Sequence, residues 1–166
     1  MRRNANQFIF AFELAACCAL CFNYDPVLAQ QIVNGCDIRP QTYCAGANLR
    51  EANLQFAHLY DANLLKAELS GANLQQAQLY GTILDGANLS NANLSSANLH
   101  GAELQNANFS GANLQRANLK AANLAGANLT GANLRKANLE GANLEGAKLD
   151  AANFEDARRA HCKGCP

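Results

Sequence analysis

The stretch Ala87–His100, ANLSNANLSSANLH, is one five-letter word written almost three times: Ala, Asn, Leu and two variable residues. From Ala47 to Asp156 the chain divides without a gap into 22 such words. The first letter is Ala in all but one, where Thr82 stands, and the second is Asn in 16. The third is Leu in 20, with Phe109 and Phe154 in the other two. A period of five suits neither regular element. Five residues of α-helix advance about 140° beyond a full turn and would scatter the leucines around the axis. On a straight strand an odd spacing would send successive leucines to opposite faces.

A bend after every word resolves the conflict, because each Leu then points to a common axis and the path becomes a narrow coil. The first-position Ala lies two residues from Leu on an extended stretch and so falls on the same inner side. Its small size suits a corner. Nine fifth positions are Gly (71, 81, 86, 101, 111, 126, 131, 141 and 146), joined by Asn91 and Asn106. Gly and Asn accept the positive φ of a type II turn. The other fifth positions are expected in turns without that demand. With Trp absent, Met present once and aromatics at 7%, a conventional globular core is not expected.

These words resemble the pentapeptide-repeat family, whose pattern is A(D/N)LXX. The departures are Thr82 at the first position and His58, Glu68, Gln78, Ile83, Glu103 and Lys148 at the second. The resemblance implies an all-β fold: a right-handed quadrilateral β-helix, a solenoid with four words per coil and the third residue central in each face. Residues twenty apart then stack. The inner ladders are Leu49, 69, 89, Phe109, Leu129 and 149; Leu54, 74, 94, 114, 134 and Phe154; Leu59, 79, 99, 119 and 139; and Leu64, 84, 104, 124 and 144. Five and a half coils at the β spacing give a rod about 26 Å long. Its ends need caps. The predicted organisation is residues 1–29 signal peptide, 30–46 N-terminal cap, 47–156 repeats and 157–166 C-terminal cap, with residues 154–161 a short helix over the open end.

The chain opens MRRNANQ, continues as the apolar run Phe8–Phe22 and exits at Val27-Leu28-Ala29. A basic start, a short apolar stretch and a small-residue exit read as a secretory signal peptide cleaved before Gln30. Glu13 and the short length weaken a retained membrane anchor. Leu14-Ala15-Ala16-Cys17 gives the alternative of a lipoprotein lipidated at Cys17. Each reading with cleavage takes the mature chain, without a membrane span, out of the cytoplasm.

Four cysteines flank the repeats: Cys36 and Cys44 before, Cys162 and Cys165 after. In an exported chain they are disulfide candidates with three connectivities. Bridged Cα atoms lie within about 7 Å, and the two clusters sit at opposite ends of the rod, so Cys36–Cys44 and Cys162–Cys165 are the expected pairs. Cys162-Lys163-Gly164-Cys165 is also a C-x-x-C, and two alternatives stay open: a redox-labile bridge and a metal site with His161, which would hold three ligands.

Charge is balanced, 13 basic against 13 acidic residues, without the basic stripe of a nucleic-acid surface. His58, His100 and His161 stand apart, no nucleophile–His grouping emerges, and no paired carboxylates suit acid–base work. The expectation is no enzyme, no cofactor and no metal. Tyr60, Tyr80 and His100 stand twenty apart at the fourth position and should form an outward stripe. Phe56, Leu65 and Ile83 are outward in the same early coils. Such clustering marks a protein-partner site or the seat of the cap segment 30–43.

The leading expectation is a non-enzymatic interaction or scaffolding module with an unidentified protein partner, and self-association by end-to-end or face packing is open. By resemblance to exported cyanobacterial members it would lie in the thylakoid lumen or periplasm. Alternatives are a redox-responsive protein using the C-terminal C-x-x-C and a DNA-mimicking gyrase binder. The repeats' seven basic and ten acidic residues are a mild surplus for mimicry.

Overall fold

The computed structural model describes residues 31–166. The signal peptide, the retained anchor and the lipidated Cys17 fall on residues 1–30 and lie outside the described residues. From residue 42 onward the chain winds as a right-handed β-helix, four words to the coil. Each second-position residue pairs in parallel with the residue twenty further on, from Tyr43↔Asn63 to Asn143↔Lys163. The four faces carry the ladders of Leu49 (face 1), Leu54 (face 2), Leu59 (face 3) and Leu64 (face 4). Every central Leu from Leu49 to Leu144 is sealed from solvent, as is Phe109. First-position alanines from Ala62 to Ala142 are equally buried. Thr82, in an alanine's place, donates its hydroxyl to the Leu59 carbonyl at 2.8 Å, which answers the need of a buried polar group for a partner.

Corners close by a bond from the next first-position N–H back to the central carbonyl, as in Ala62 N to Leu59 O, 3.2 Å. All fifth positions from Glu51 to Asp156 have positive φ, including Phe56 (61°), Lys66 (55°), Arg116 (59°) and Ala121 (56°). The expectation of other turns at non-glycine corners is therefore corrected. The coil fixes one turn geometry, and the local preference of the residue yields to the ladder bonds on both sides.

The second-position Asn has two tasks. Its Oδ1 accepts the N–H two residues on, as from Leu65 to Asn63 (3.1 Å). Its Nδ2 donates to the Asn one coil earlier, as from Asn118 to Asn98 (3.0 Å) and Asn113 to Asn93 (3.2 Å). Amide ladders thus run outside the coil parallel to the leucine ladders within. Glu68 and Gln78 continue them, accepting from Asn88 and Asn98.

At the N-terminal end β1 (Gln31–Val33) and β2 (Cys36–Ile38) form an antiparallel hairpin with Val33 opposite Cys36. Its two-residue turn is Asn34-Gly35, with φ 48° and 82°, the left-handed pair of a type I′ turn. The hairpin lies over the first coil. Gln31 Nε2 donates to Asn53 O (3.2 Å) and Asn34 Nδ2 to Asn48 O (2.7 Å), supplying donors that a lower coil would otherwise provide. Cys36 and Ile38 are buried, and Cys36 is bonded to Cys44, Cα atoms 5.5 Å apart. Cys44 takes the central position of a further word, Thr42–Gly46, whose Thr42 carbonyl accepts from Asn63 N–H.

At the other end the expected helix over residues 154–161 is not formed, and the described residues contain no helix. The coil continues instead: Arg158 pairs with Asn138 and Lys163 with Asn143, and His161 (φ 57°) makes one more corner. The exposed coil edge explains the difference. It presents N–H and C=O groups, such as Leu139 N and Leu144 N, which the extended chain pairs through Arg158 O and Lys163 O; a helix turns its own backbone groups inward and would leave them unmet. The ladder then stops because Arg159 and Gly164 stand where Leu would be. Arg159 is exposed and reaches the Pro166 main-chain oxygen (2.6 Å). Cys162 is bonded to Cys165, Cα atoms 5.8 Å apart.

Candidate interaction surface

Second, fourth and fifth positions all face outward, so each face is a grid, with rows along the strand and columns along the rod. On face 3 and the corner leading into it the first three rows are Phe56-His58-Tyr60, Gln76-Gln78-Tyr80 and Ser96-Asn98-His100, in register through His58↔Gln78↔Asn98. Tyr60 and Tyr80 stack with ring centroids 4.8 Å apart and planes within 3°. Partial burial comes first, ahead of the nearby Tyr60 and Asp61, in pushing the Tyr80 phenol above its ordinary value. His100 ends the stripe, its Nδ1 2.8 Å from the Lys120 carbonyl oxygen.

Phe56 holds the corner before His58 and is 53% exposed; Tyr80 is 37% exposed. Leu65 and Ile83 stand on face 4. Ile83 belongs to the column Tyr43↔Asn63↔Ile83 of face 4, beyond the corner residues Asp61 and Gly81. The six residues therefore form two groups on adjacent faces. The hairpin is anchored on Asn48 and Asn53 of faces 1 and 2 and leaves Phe56 and Tyr80 open.

Beside the stripe lies an open groove of about 460 Å³, lined by Phe56, His58, Gln76, Gln78 and Ser96. Sequence reading singled out Phe56 alone among these. Extending the twenty-residue spacing to the fifth and second positions would have gathered the other four. Further along face 3, Glu140 binds Arg158 (2.6 Å) and lies 3.5 Å from Lys120. Arg158, then Lys120, hold its carboxyl below the ordinary value. On face 1 the Asn88 amide, followed by the Arg50 guanidinium, lowers Glu68 likewise. These carboxylates stand in structural ladders. Among the described residues no group of three or more His, Cys, Asp or Glu side chains is arranged to hold a metal, and no helix is long and apolar enough to cross a membrane.

Coils of twenty residues, an Ala-Leu lumen and an outward amide ladder define a β-solenoid built from five-residue units. The chain belongs to the pentapeptide-repeat family: residues 47–86, 72–111 and 112–150 match Pentapeptide repeats, in eight copies. Among solved structures it is similar to HetL, a pentapeptide repeat protein involved in heterocyst differentiation regulation from the cyanobacterium Nostoc sp. strain PCC 7120. The two are 38% identical over 74% of this chain and 59% of HetL, with a TM-score of 0.49. The chain thus spans about three-fifths of HetL's length. A pentapeptide repeat protein from the Arabidopsis thaliana thylakoid lumen is 34% identical over 54% of this chain and 56% of its own, TM-score 0.25. QnrB1, a plasmid-mediated fluoroquinolone resistance protein, is 19% identical over 75% of this chain and 73% of its own, TM-score 0.50; that likeness concerns the fold alone. No curated protein matches the sequence.

Proposed function

We propose that the protein is a non-enzymatic interaction rod of an extracytoplasmic compartment, the thylakoid lumen or periplasm, holding a protein partner on face 3. The observation that carries this reading is the Tyr60–Tyr80 stack beside exposed Phe56 on a regular, hydrogen-bonded wall. Preorganised aromatic groups lose little freedom on binding and are the side chains that anchor protein interfaces. The two disulfides support export, since such bonds persist in oxidising compartments. The test is capture from lumenal or periplasmic extract on the immobilised rod. Tyr60→Ala with Tyr80→Ala should abolish co-purification of a protein that the parent retains. An unchanged set of captured proteins would remove this surface from consideration.

A second reading, a redox-responsive end, is favoured by unequal access to the two bridges. Cys162 and Cys165 are both partly exposed at the rim, whereas Cys36, on the buried side of the hairpin, is 2% exposed. A dithiol reductant would pass two electrons and two protons to Cys162–Cys165, leaving two thiols and its own disulfide. Mild reductant should open this bridge first. Equal resistance of both bridges would count against the redox role.

A further inference from the structure

The four corner columns of the rod are not alike. The nine fifth-position glycines of the repeats, with Asn91 and Asn106, all fall in the columns between faces 1 and 2, 3 and 4, and 4 and 1. The column between faces 2 and 3 has none. It reads Phe56, Gln76, Ser96, Arg116, Lys136 and Asp156, at φ from 58° to 61°. A left-handed corner favours glycine, so this edge carries side chains against the preference of its own backbone. Backbone strain of this kind gathers where side chains are put to use.

The lower half of the column is also uncompensated in charge. Arg116 and Lys136 are exposed on neighbouring coils, and among the described residues neither has an ion pair or a side-chain hydrogen bond. The carboxylates near them are taken, Glu140 by Arg158 and Lys120, Glu155 by Arg135. On faces 2 and 3 of these two coils, residues 112–121 and 132–141, Arg116, Lys120, Arg135 and Lys136 are offset by Glu140 alone. Like charges on neighbouring strands destabilise, and here no side chain of the rod relieves them.

We propose that this edge seats an extended acidic segment of the protein partner, with an apolar side chain on Phe56 and carboxylates on Arg116 and Lys136. The inference rests on the protein-partner reading of face 3 and names the chemistry of what binds there. Charge complementarity selects the occupant, because the two free cations ask for carboxylates and the exposed Phe56 ring asks for an apolar group. Three coils separate Phe56 from Arg116 and four separate it from Lys136, about 14 and 19 Å at the strand spacing. An extended chain covers those distances in about four to six residues, so one short segment reaches all three. Between them Gln76 and Ser96 present uncharged polar groups beside the open groove, able to meet the peptide groups of a chain lying across them. Asp156, one coil below Lys136, would repel carboxylates placed further down and so sets where the acidic end must stop.

The probe is the peptide Phe-Ser-Gly-Ser-Glu-Glu-Glu, blocked at both ends, together with its reversed order. Each is titrated into the purified chain with both disulfides intact and followed by amide NMR. At least one order should give saturable shifts at Phe56, Gln76, Ser96, Arg116 and Lys136, weakening severalfold between about 0.02 and about 0.5 M salt. The same peptides with Lys for Glu should leave those amides unmoved. Arg116→Gln with Lys136→Gln should weaken binding about tenfold or more and abolish its salt dependence. Phe56→Gly should weaken it with the salt dependence retained. Arg116→Gly with Lys136→Gly should lose binding while the urea midpoint holds or rises, since strain and repulsion leave together. A fall in that midpoint would assign the two side chains to the fold and overturn the proposal. No saturable shifts with either order, shifts centred on another face, equal binding of the Lys peptides, or tighter binding of a DNA duplex at this edge would each overturn it as well. The capture experiment keeps the two readings apart. If Tyr60→Ala with Tyr80→Ala abolishes capture and Arg116→Gln with Lys136→Gln leaves it unchanged, the partner surface stands and the acidic segment falls.

Discussion

Tyr60 and Tyr80 stack face to face from neighbouring coils, ring centroids 4.8 Å apart. The separation matches the spacing between adjacent strands, so the backbone itself sets the ring contact. Such a pair is worth about 0.5–1.5 kcal/mol beyond the area it buries. A double-mutant cycle of Tyr60→Ala and Tyr80→Ala, followed by urea unfolding, should return a coupling in that range. A cycle that closes to zero would mean that each ring packs on its own strand instead.

The corners give an inverted substitution rule. Ala121 sits at φ 56° and Gly101 at φ 64°, with no heavy atom within 4 Å of a Cβ added at Gly101. The left-handed region penalises a side chain by about 1–2 kcal/mol, while glycine gives up about 0.5–1 kcal/mol in lost freedom. Ala121→Gly should therefore raise stability slightly and Gly101→Ala should lower it by about 1 kcal/mol. Chemical denaturation of both variants measures the pair. Gly164 is a harsher case, because a Cβ there would stand 2.7 Å from the Leu144 carbonyl oxygen.

Position along the rod should grade the response of the core. Leu94 is fully buried between neighbouring coils, whereas Leu149 faces the open end and is only partly covered. Leu94→Ala is expected to destabilise by about 2–5 kcal/mol through lost burial and a residual cavity. Leu149→Ala should fall below that range. Equal losses, read from denaturant midpoints at constant slope, would show that the open end is covered in solution.

Glu140 gives a pH signature. Arg158 and Lys120 hold its folded-state value below the unfolded one, so the unfolded chain binds the extra proton first as the medium acidifies. The resulting stabilisation is present at neutral pH and is lost as pH falls through the folded-state value. In this solvent-facing position the effect is small. The gap in Tm between parent and Glu140→Gln should be widest at neutral pH and close in strong acid. A gap that does not change with pH would assign it to packing.

The five-residue word makes most of this fold legible: the period points to a coil with a bend per word, and the resemblance to pentapeptide repeats implies the four-word coil whose twenty-residue stacking places every leucine. What escaped were features that depend on neighbouring coils. Phe56, Arg116 and Ala121 give no local hint of a left-handed corner; the ladder bonds above and below impose it. The segment Ala157–His161 lacks the central Leu and suggested a helix, yet an open edge takes it as one more turn of coil. At the surface, Tyr60 and Tyr80 followed directly from their spacing. For Leu65 and Ile83 the sequence gives outward positions in the same early coils, but sequence distance alone does not show which side of a corner a residue occupies. The groove is not legible in the five-residue word, where Gln78 stands as a departure from Asn and His58 as a departure and an isolated histidine.

The uniform corner has a consequence for evolution. Since every bend adopts one geometry whichever residue occupies it, each outward residue has a fixed address given by its side and its storey. Changing one letter rewrites a single address and leaves the plumb line of the tower where it was. Adding or deleting twenty residues changes the height by one storey without reorienting any side. A lineage can thus lengthen such a tower and redecorate it independently, as a mason works from a standard brick.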